Sequence, residues 1–150
     1  SEEISPNKEL IITELDERYV KKDEVNKYAN VITGGNVDFV RELLNRGYIN
    51  VYFDVNKTKI QNGSLNALNY LKQFMKDNPT VTATLIGYAD ETGSEAKNQT
   101  LSLKRAKAVN NILVSAGINP TRLSYLGAGV DRSVTKDARQ FARRVTFKIN

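Results

Sequence analysis

The stretch over residues 81–116 limits the possible folds more than any other, because it predicts a strand followed closely by a long helix. Apolar residues recur at every second position from Val81, and this period places them on one face of a strand. The helix is expected to begin near Ser94, a favourable N-cap, and to end at Ala116, where Gly117 suits the C′ position. Such a unit is typical of a layered fold in which helices cover a sheet.

The rest of the pattern repeats this alternation and indicates the fold class. The order strand, helix, strand, helix, strand, strand predicts one α/β domain with βαβαββ connectivity. Its sheet should be mixed and covered by helices, with right-handed crossovers joining parallel neighbours. The predicted strands cover 48–55, 81–88, 123–126 and 145–149, and the predicted helices cover 64–76 and 94–116.

Residues 1–35 differ from the rest of the chain, because their helical spacing of apolar residues loses phase and stops at Gly34-Gly35. We expect a helical or flexible lead-in there, followed by a domain over 36–150 with its core at 48–150. The apolar stripe of the lead-in is too short to specify a coiled coil, so the oligomeric state stays open. That stripe consists of Leu10, Ile12, Leu15 and Tyr19.

A short amphipathic helix over 36–46 is expected to open the domain. Asn36 can cap its first turn, and Gly47 can end it. The side chains expected to face inward from this helix are Val37, Val40, Leu43 and Leu44.

The composition excludes several kinds of chemistry. Cysteine and histidine are both absent, so disulfides, thiolate nucleophiles, a histidine general base and a Cys/His zinc site are impossible. We therefore expect no metal and no cofactor. The net charge of +5 suits an anionic partner, but the basic residues are scattered, which is also typical of solvated faces. No apolar run approaches the roughly 18 residues that a membrane helix needs.

Polar side chains are expected to meet at one edge of the sheet. Asp54 lies at the carboxyl end of the first strand and Asp90 follows that end of the second, and loops at such ends of neighbouring parallel strands usually form a crevice. Asn98 and Arg105 are seven residues apart in the long helix, so they share one face. The other residues expected on that face are Leu101, Val109, Ile112 and Ala116.

Arg105 is therefore expected to point toward the sheet, where an unpaired charge would be costly. Asp90 is the expected partner. One interpretation is a structural ion pair that braces the loop against the helix. The other is a crevice floor where both groups stay partly open and are completed by a ligand, since arginine suits a carboxylate and aspartate suits an ammonium. Such a site would fit an amino-acid head group.

Four segments carry a specific combination of residues in a fixed order. They are Val51–Lys57, Gly87–Gly93, Asn98–Ala106 and Arg143–Val145. Together they make residues 48–149 resemble the OmpA-like peptidoglycan-binding domain, which is found in outer-membrane porins, peptidoglycan-associated lipoproteins and flagellar stator proteins. The chain departs from that pattern at Ala142, where the family usually has asparagine.

The resemblance implies non-covalent binding of peptidoglycan through the meso-diaminopimelate of its stem peptide. In that family the aspartate matching Asp90 meets the side-chain ammonium, and the arginine matching Arg105 meets the carboxylate. Asn98 and the backbone around Phe53 complete the pocket, and Arg144 assists with a carboxylate. The full set of site residues implied is Phe53, Asp54, Ala89, Asp90, Thr92, Asn98, Leu101, Arg105 and Arg144.

The resemblance also implies a location and a role. The domain would anchor an outer-membrane protein to the cell wall at the periplasmic face of the outer membrane of a Gram-negative bacterium. Association with the membrane would come from a part of the protein outside this chain.

Three other functions compete with this interpretation. Asp54 and Asp90 resemble the carboxylate pair of a glycan hydrolase, but Arg105 favours the ionised form and works against a general acid, so we expect no enzyme. Nucleic-acid binding is not expected, because the aromatic residues are spread through predicted core elements and form no stacking platform. The remaining alternative is a protein–protein scaffold with a vestigial ligand site, against which the retention of Asp90, Asn98 and Arg105 argues.

Overall fold

The computed structural model describes residues 37–150, which form three α-helices and four strands. The lead-in predicted over 1–35 and the cap predicted at Asn36 lie outside the described residues. Within 37–150, no helix is both long enough and apolar enough to cross a membrane. The α-helices are α1 (Val37–Asn45), α2 (Leu65–Asp77) and α3 (Glu95–Ser115), and the strands are β1 (Val51–Tyr52), β2 (Ala83–Ala89), β3 (Leu123–Val130) and β4 (Arg144–Ile149).

The four strands form one mixed sheet in the order β1-β4-β2-β3, which confirms the predicted α/β class. Strand β4 is antiparallel to both β1 and β2, and β2 is parallel to β3. The expectation that β1 and β2 are neighbours is wrong, because β4 lies between them. Since each is antiparallel to β4, they still run in one direction, and their carboxyl ends meet at the edge where β4 begins.

Strand β1 is much shorter than the predicted strand over 48–55. The amide of Tyr48 donates to the carbonyl of Leu43 at 3.1 Å, so the chain before β1 is still closing the end of α1. After Phe53 the chain turns, and the amide of Lys57 donates to the carbonyl of Asp54 at 3.1 Å. The β-branched and aromatic content of 48–55 therefore reflects burial as much as strand pairing.

Helix α3 packs directly on the sheet because β2 carries a glycine where the two backbones meet. A Cβ built on Gly87 would lie 1.9 Å from the carbonyl oxygen of Ser102, so no other residue fits there. Ser102 in turn accepts a hydrogen bond from the amide of Gly129 at 2.9 Å. This close contact fixes the height of α3 over the sheet and thereby the position of Arg105.

The inward faces of two helices differ from the predicted ones. Ile112 is 42% exposed and Leu113 is buried, so the inward stripe of α3 is rotated from the predicted one. In α1, Val37 is 37% exposed, whereas Phe39 joins the three other predicted residues in the core. The buried residues of α3 are Asn98, Ser102, Arg105, Ala106, Val109 and Leu113.

Candidate functional site

Arg105 lies at the centre of the candidate site and is completely buried. Its guanidinium group donates three hydrogen bonds to main-chain carbonyl oxygens from two different segments. Nε reaches Lys57 at 3.0 Å, Nη1 reaches Tyr88 at 3.0 Å and Nη2 reaches Asp54 at 2.9 Å. The side chain therefore ties the loop after β1 to the end of β2.

Arg105 is charged, and only some of its N–H donors are hydrogen-bonded within the described residues. Burial lowers the pKa of its guanidinium to about 10, with the negative charge of Asp90 opposing that shift. The group also lies over the ring of Phe53, with 5.3 Å from Cζ to the ring centroid. Of the five N–H donors on an arginine side chain, three serve the carbonyl groups, so two have no acceptor among residues 37–150.

The carboxylate of Asp90 is also buried, but its ion-pair partner is not the one predicted. It accepts hydrogen bonds from the hydroxyl of Thr92, from the amide of Thr92 at 2.9 Å and from Nη1 of Arg143 at 3.0 Å. Burial favours a higher pKa for Asp90, yet these hydrogen bonds and the charge of Arg143 outweigh it, so the pKa lies below its ordinary value. Asp90 is therefore an anion at neutral pH.

The expected direct pairing of Asp90 with Arg105 is thus wrong, and the order of the strands explains why. Because β4 lies between β1 and β2, the residue just before β4 stands between the two segments that Arg105 ties together. That residue is Arg143, whose Nε also donates to the carbonyl of Phe53 at 3.2 Å. The predicted partly open crevice floor is closed, since Asp90 is only 5% exposed.

Arg143 is the main residue missing from the set predicted here. Its only sequence signal was its place beside Arg144 in the fourth motif, and nothing there indicated which of the two would face Asp90. The side chain of Arg143 is 18% exposed, so it is the more accessible cation of the pair that flanks this carboxylate.

Arg144 belongs to a second cluster. Its Nη1 donates to the carboxylate of Asp131 at 2.8 Å, and its guanidinium lies 4.2 Å from the ring centroid of Tyr88. Asp131 accepts from the amide of Ser133 at 3.0 Å and from its hydroxyl at 2.6 Å, as Asp90 does from Thr92. Arg143 lies just before β4 and Arg144 is the first residue of that strand, and the two consecutive arginines serve two similar aspartate turns.

A cleft of about 530 Å³ lies along the first half of α3. Asn98 and Leu101, both predicted site residues, line it, whereas Asp90 and Arg105 do not. Asn98 is only 3% exposed, yet its side-chain amide makes no hydrogen bond with the described residues. The helix begins at the predicted cap, because the amide of Lys97 donates to the hydroxyl of Ser94 at 3.2 Å.

The remaining predicted residues fall around the same edge of the sheet. Phe53 and Ala89 are buried, and the main chain of Phe53 and Asp54 serves the two arginines. The carboxylate of Asp54 points elsewhere, accepting from Gln61 at 2.9 Å. Among residues 37–150, no cluster of three or more acidic side chains could hold a metal ion. The arrangement can hold an ammonium and a carboxylate close together.

Comparison with known proteins gives a consistent picture. The profile of the OmpA family matches residues 52–145. The outer membrane porin F of Pseudomonas aeruginosa is 33% identical over 105 residues, which cover 69% of this chain and 30% of the porin. The peptidoglycan-binding protein ArfA of Mycobacterium bovis is 34% identical over 87 residues, which cover 55% of this chain and 27% of that protein. The chain therefore spans about a third or less of these relatives.

Solved structures show the same fold. The peptidoglycan-associated lipoprotein from Burkholderia pseudomallei superposes with a TM-score of 0.62, covering 67% of this chain and 89% of the lipoprotein. The sequence identity is 24%, so this likeness concerns the fold alone.

Proposed function

Because this chain belongs to the OmpA family, we propose that it binds peptidoglycan non-covalently. A relative that is 34% identical over 87 residues is named as a peptidoglycan-binding protein, which supports this assignment. The family match covers the segments that form the candidate site, from Tyr52 to Val145. On this proposal, the domain binds the peptide stem of the cell wall.

The observation that carries the proposal is a buried carboxylate flanked by two arginines. A zwitterionic head group presents an ammonium and a carboxylate a few bonds apart, which matches Asp90 beside Arg143 and Arg105. The ammonium replaces the Arg143 guanidinium on Asp90, because both are cations that donate hydrogen bonds to the same oxygens. The carboxylate then accepts from the released Arg143 and from the two unused donors of Arg105.

The meso-diaminopimelate residue of a stem peptide has the required groups at the end of its side chain. Its ammonium and carboxylate share one carbon atom, so both reach the site together. On this proposal Asn98 adds an amide that has no partner among residues 37–150, and Phe53 and Ala89 provide apolar walls. This assignment makes diaminopimelate the residue that is recognised.

The site supports binding and offers no catalytic machinery on this proposal. Asp90 is held ionised by its hydrogen bonds and by Arg143, which is the wrong state for a general acid. We therefore place the domain among non-enzymatic anchors, as the outer-membrane relatives suggest. The domain would lie at the periplasmic face of the outer membrane, held there by a part of the protein outside this chain.

Co-sedimentation with purified Gram-negative sacculi tests the proposal. Asp90→Asn removes the charge that an ammonium needs, so the bound fraction should fall at least about tenfold. Asp131→Asn is the matched control, since Asp131 has the same kind of turn and its own arginine partner. It should sediment like the parent chain.

Two results would contradict the proposal. A folded parent chain that stays in the supernatant would favour the scaffold alternative with a vestigial site. Equal loss in both variants would mean that any removed aspartate weakens binding, and the assignment of the ammonium to Asp90 would be wrong.

A further inference from the structure

The cleft of about 530 Å³ along α3 contains features that the diaminopimelate site does not use. Asn98, one of the residues assigned to that site, also lines this cleft. The lining residues that the structure describes include two lysines and no aspartate or glutamate. The lining residues are Asn56, Gly93, Ala96, Lys97, Asn98, Thr100, Leu101 and Lys104.

Asn98 is the first reason to regard the cleft as a binding surface. The residue is only 3% exposed, and its side-chain amide makes no hydrogen bond with any described residue. A Cβ built on Gly93 would lie 3.7 Å from the Oδ1 of Asn98. The amide of Asn98 therefore lies beside a residue that has no side chain. The enclosed polar atoms without a partner in residues 37–150 do not include this amide, so the amide is open to the cleft and accessible to a ligand there.

The charges of the cleft are the second reason. Lys97 and Lys104 are exposed, and neither ammonium makes an ion pair within the described part of the chain. They are seven residues apart, so they lie on one side of α3 about 10 Å from each other along its axis. No carboxylate among residues 37–150 lines the cleft, so its two positive charges face no acidic side chain within this part of the protein.

We propose that this cleft binds a second carboxylate of the stem peptide, within one to three residues of the diaminopimelate. The proposal rests on the peptidoglycan function proposed above and specifies the ligand further. The ammonium groups of Lys97 and Lys104 attract the carboxylate, and the amide of Asn98 donates to it or to an adjacent peptide carbonyl. An extended peptide advances about 3.3–3.6 Å per residue, so the two-turn length of the cleft matches about three residues.

A stem peptide offers two carboxylates at that distance. One is the free α-carboxylate of the γ-linked D-glutamate that precedes the diaminopimelate, and the other is the carboxyl terminus of the D-alanine that follows it. Both have the same chemistry, and amidation of either one removes its charge with little change in size.

The experiment is a calorimetric titration of the full 150-residue chain with three synthetic diaminopimelate stem peptides. One has both carboxylates free, one is amidated at the D-glutamate and one is amidated at the terminal D-alanine. The double variant Lys97→Gln with Lys104→Gln is compared with the control Lys107→Gln with Lys136→Gln, which removes the same charge at exposed positions outside the cleft.

The parent should bind the free peptide about 3- to 10-fold more tightly than one of the two amidated peptides, and that peptide identifies the carboxylate. The cleft variant should lose this preference, whereas the control variant should keep it. The preference for the free peptide, in the parent and in the control variant, should decrease as salt concentration rises.

Two outcomes overturn the inference while leaving the diaminopimelate site intact. The parent could bind all three peptides with equal affinity, or the control variant could lose as much affinity as the cleft variant. If the parent binds none of the peptides, the proposed function itself fails and the cleft assignment falls with it.

Discussion

Nη1 of Arg143 lies 3.0 Å from Oδ2 of Asp90, at the edge of the sheet where β1, β4 and β2 come together. The carboxylate is almost fully enclosed at 5% exposure, whereas the side chain of Arg143 is 18% exposed. The position of this ion pair depends on strand order. Because β4 lies between β1 and β2, Arg143 lies between the two segments that Arg105 connects. On the proposed function, a ligand ammonium has to compete with this guanidinium for the carboxylate.

The first prediction concerns the ionisation of Asp90. The hydrogen bond and charge of Arg143 help to hold the pKa of Asp90 below 3.8 against the effect of burial. Arg143→Gln removes both, so the pKa of Asp90 should rise, as measured by carbon NMR of the carboxyl group during a pH titration. Arg144→Gln is the control, since it should raise the pKa of Asp131 and leave Asp90 unchanged. An unaltered pKa for Asp90 in Arg143→Gln would disprove the coupling.

The second prediction follows from the same depressed pKa. A carboxyl group whose pKa is lower in the folded state stabilises the fold above its unfolded pKa, and this contribution disappears as pH falls through the folded pKa. Asp90→Asn should therefore lower the free energy of unfolding by about 1–2 kcal/mol at pH 7. Urea denaturation near pH 3 should show a smaller difference between parent and variant. A difference that grows on acidification would contradict the assignment.

The third prediction separates the structural role of Arg105 from its proposed role in binding. Lysine cannot reach three carbonyl groups with the geometry of a guanidinium, so Arg105→Lys should destabilise the chain by roughly 2–4 kcal/mol in urea denaturation. Arg122→Lys is the matched control, because Arg122 also donates to three carbonyls, those of Met75, Asn78 and Val81.

Both variants should lose stability, but only Arg105→Lys should also lose affinity for sacculi under conditions where both remain folded. If Arg105→Lys and Arg122→Lys had equal affinities for sacculi, Arg105 would have only a structural role. Arg105→Ala is less informative than these variants, since it leaves three buried carbonyl groups without a donor.

The fourth prediction concerns the lead-in. A chain beginning at Asn36 should fold and bind sacculi like the full chain, because the core residues of α1 begin at Phe39 and the site lies beyond residue 52. Circular dichroism checks whether the shortened chain folds, and co-sedimentation checks whether it binds sacculi. Loss of folding would show that residues 1–35 contribute to the core.

Local signals allowed much of this fold to be predicted from the sequence. Ser94 caps α3 as expected, and Gly117 takes a left-handed φ of +103° just after its end. The inward direction of Arg105 was also predicted, because its spacing from Asn98 is a local property of a helix. These features depend only on residues close together in the chain.

The errors arose where distant segments meet. Whether Arg143 or Arg144 faces Asp90 depends on the insertion of β4 between β1 and β2, and strand order is set by long-range pairing. The acceptors of Arg105 are main-chain oxygens, which no residue identity reveals. The inward stripe of α3 includes the polar residues Asn98 and Ser102, so hydrophobic periodicity wrongly favoured Ile112.

The most direct test of the account is a calorimetric titration that compares two stem peptides differing only at the third residue. One contains meso-diaminopimelate and the other contains lysine, which keeps the ammonium but lacks the neighbouring carboxylate. If Arg143 and Arg105 receive that carboxylate, the diaminopimelate peptide should bind about 10- to 100-fold more tightly. Asp90→Asn should weaken the binding of both peptides. Equal affinity of the parent chain for the two peptides would show that its arginines are fully committed to internal contacts, and would contradict recognition of a zwitterion at this site.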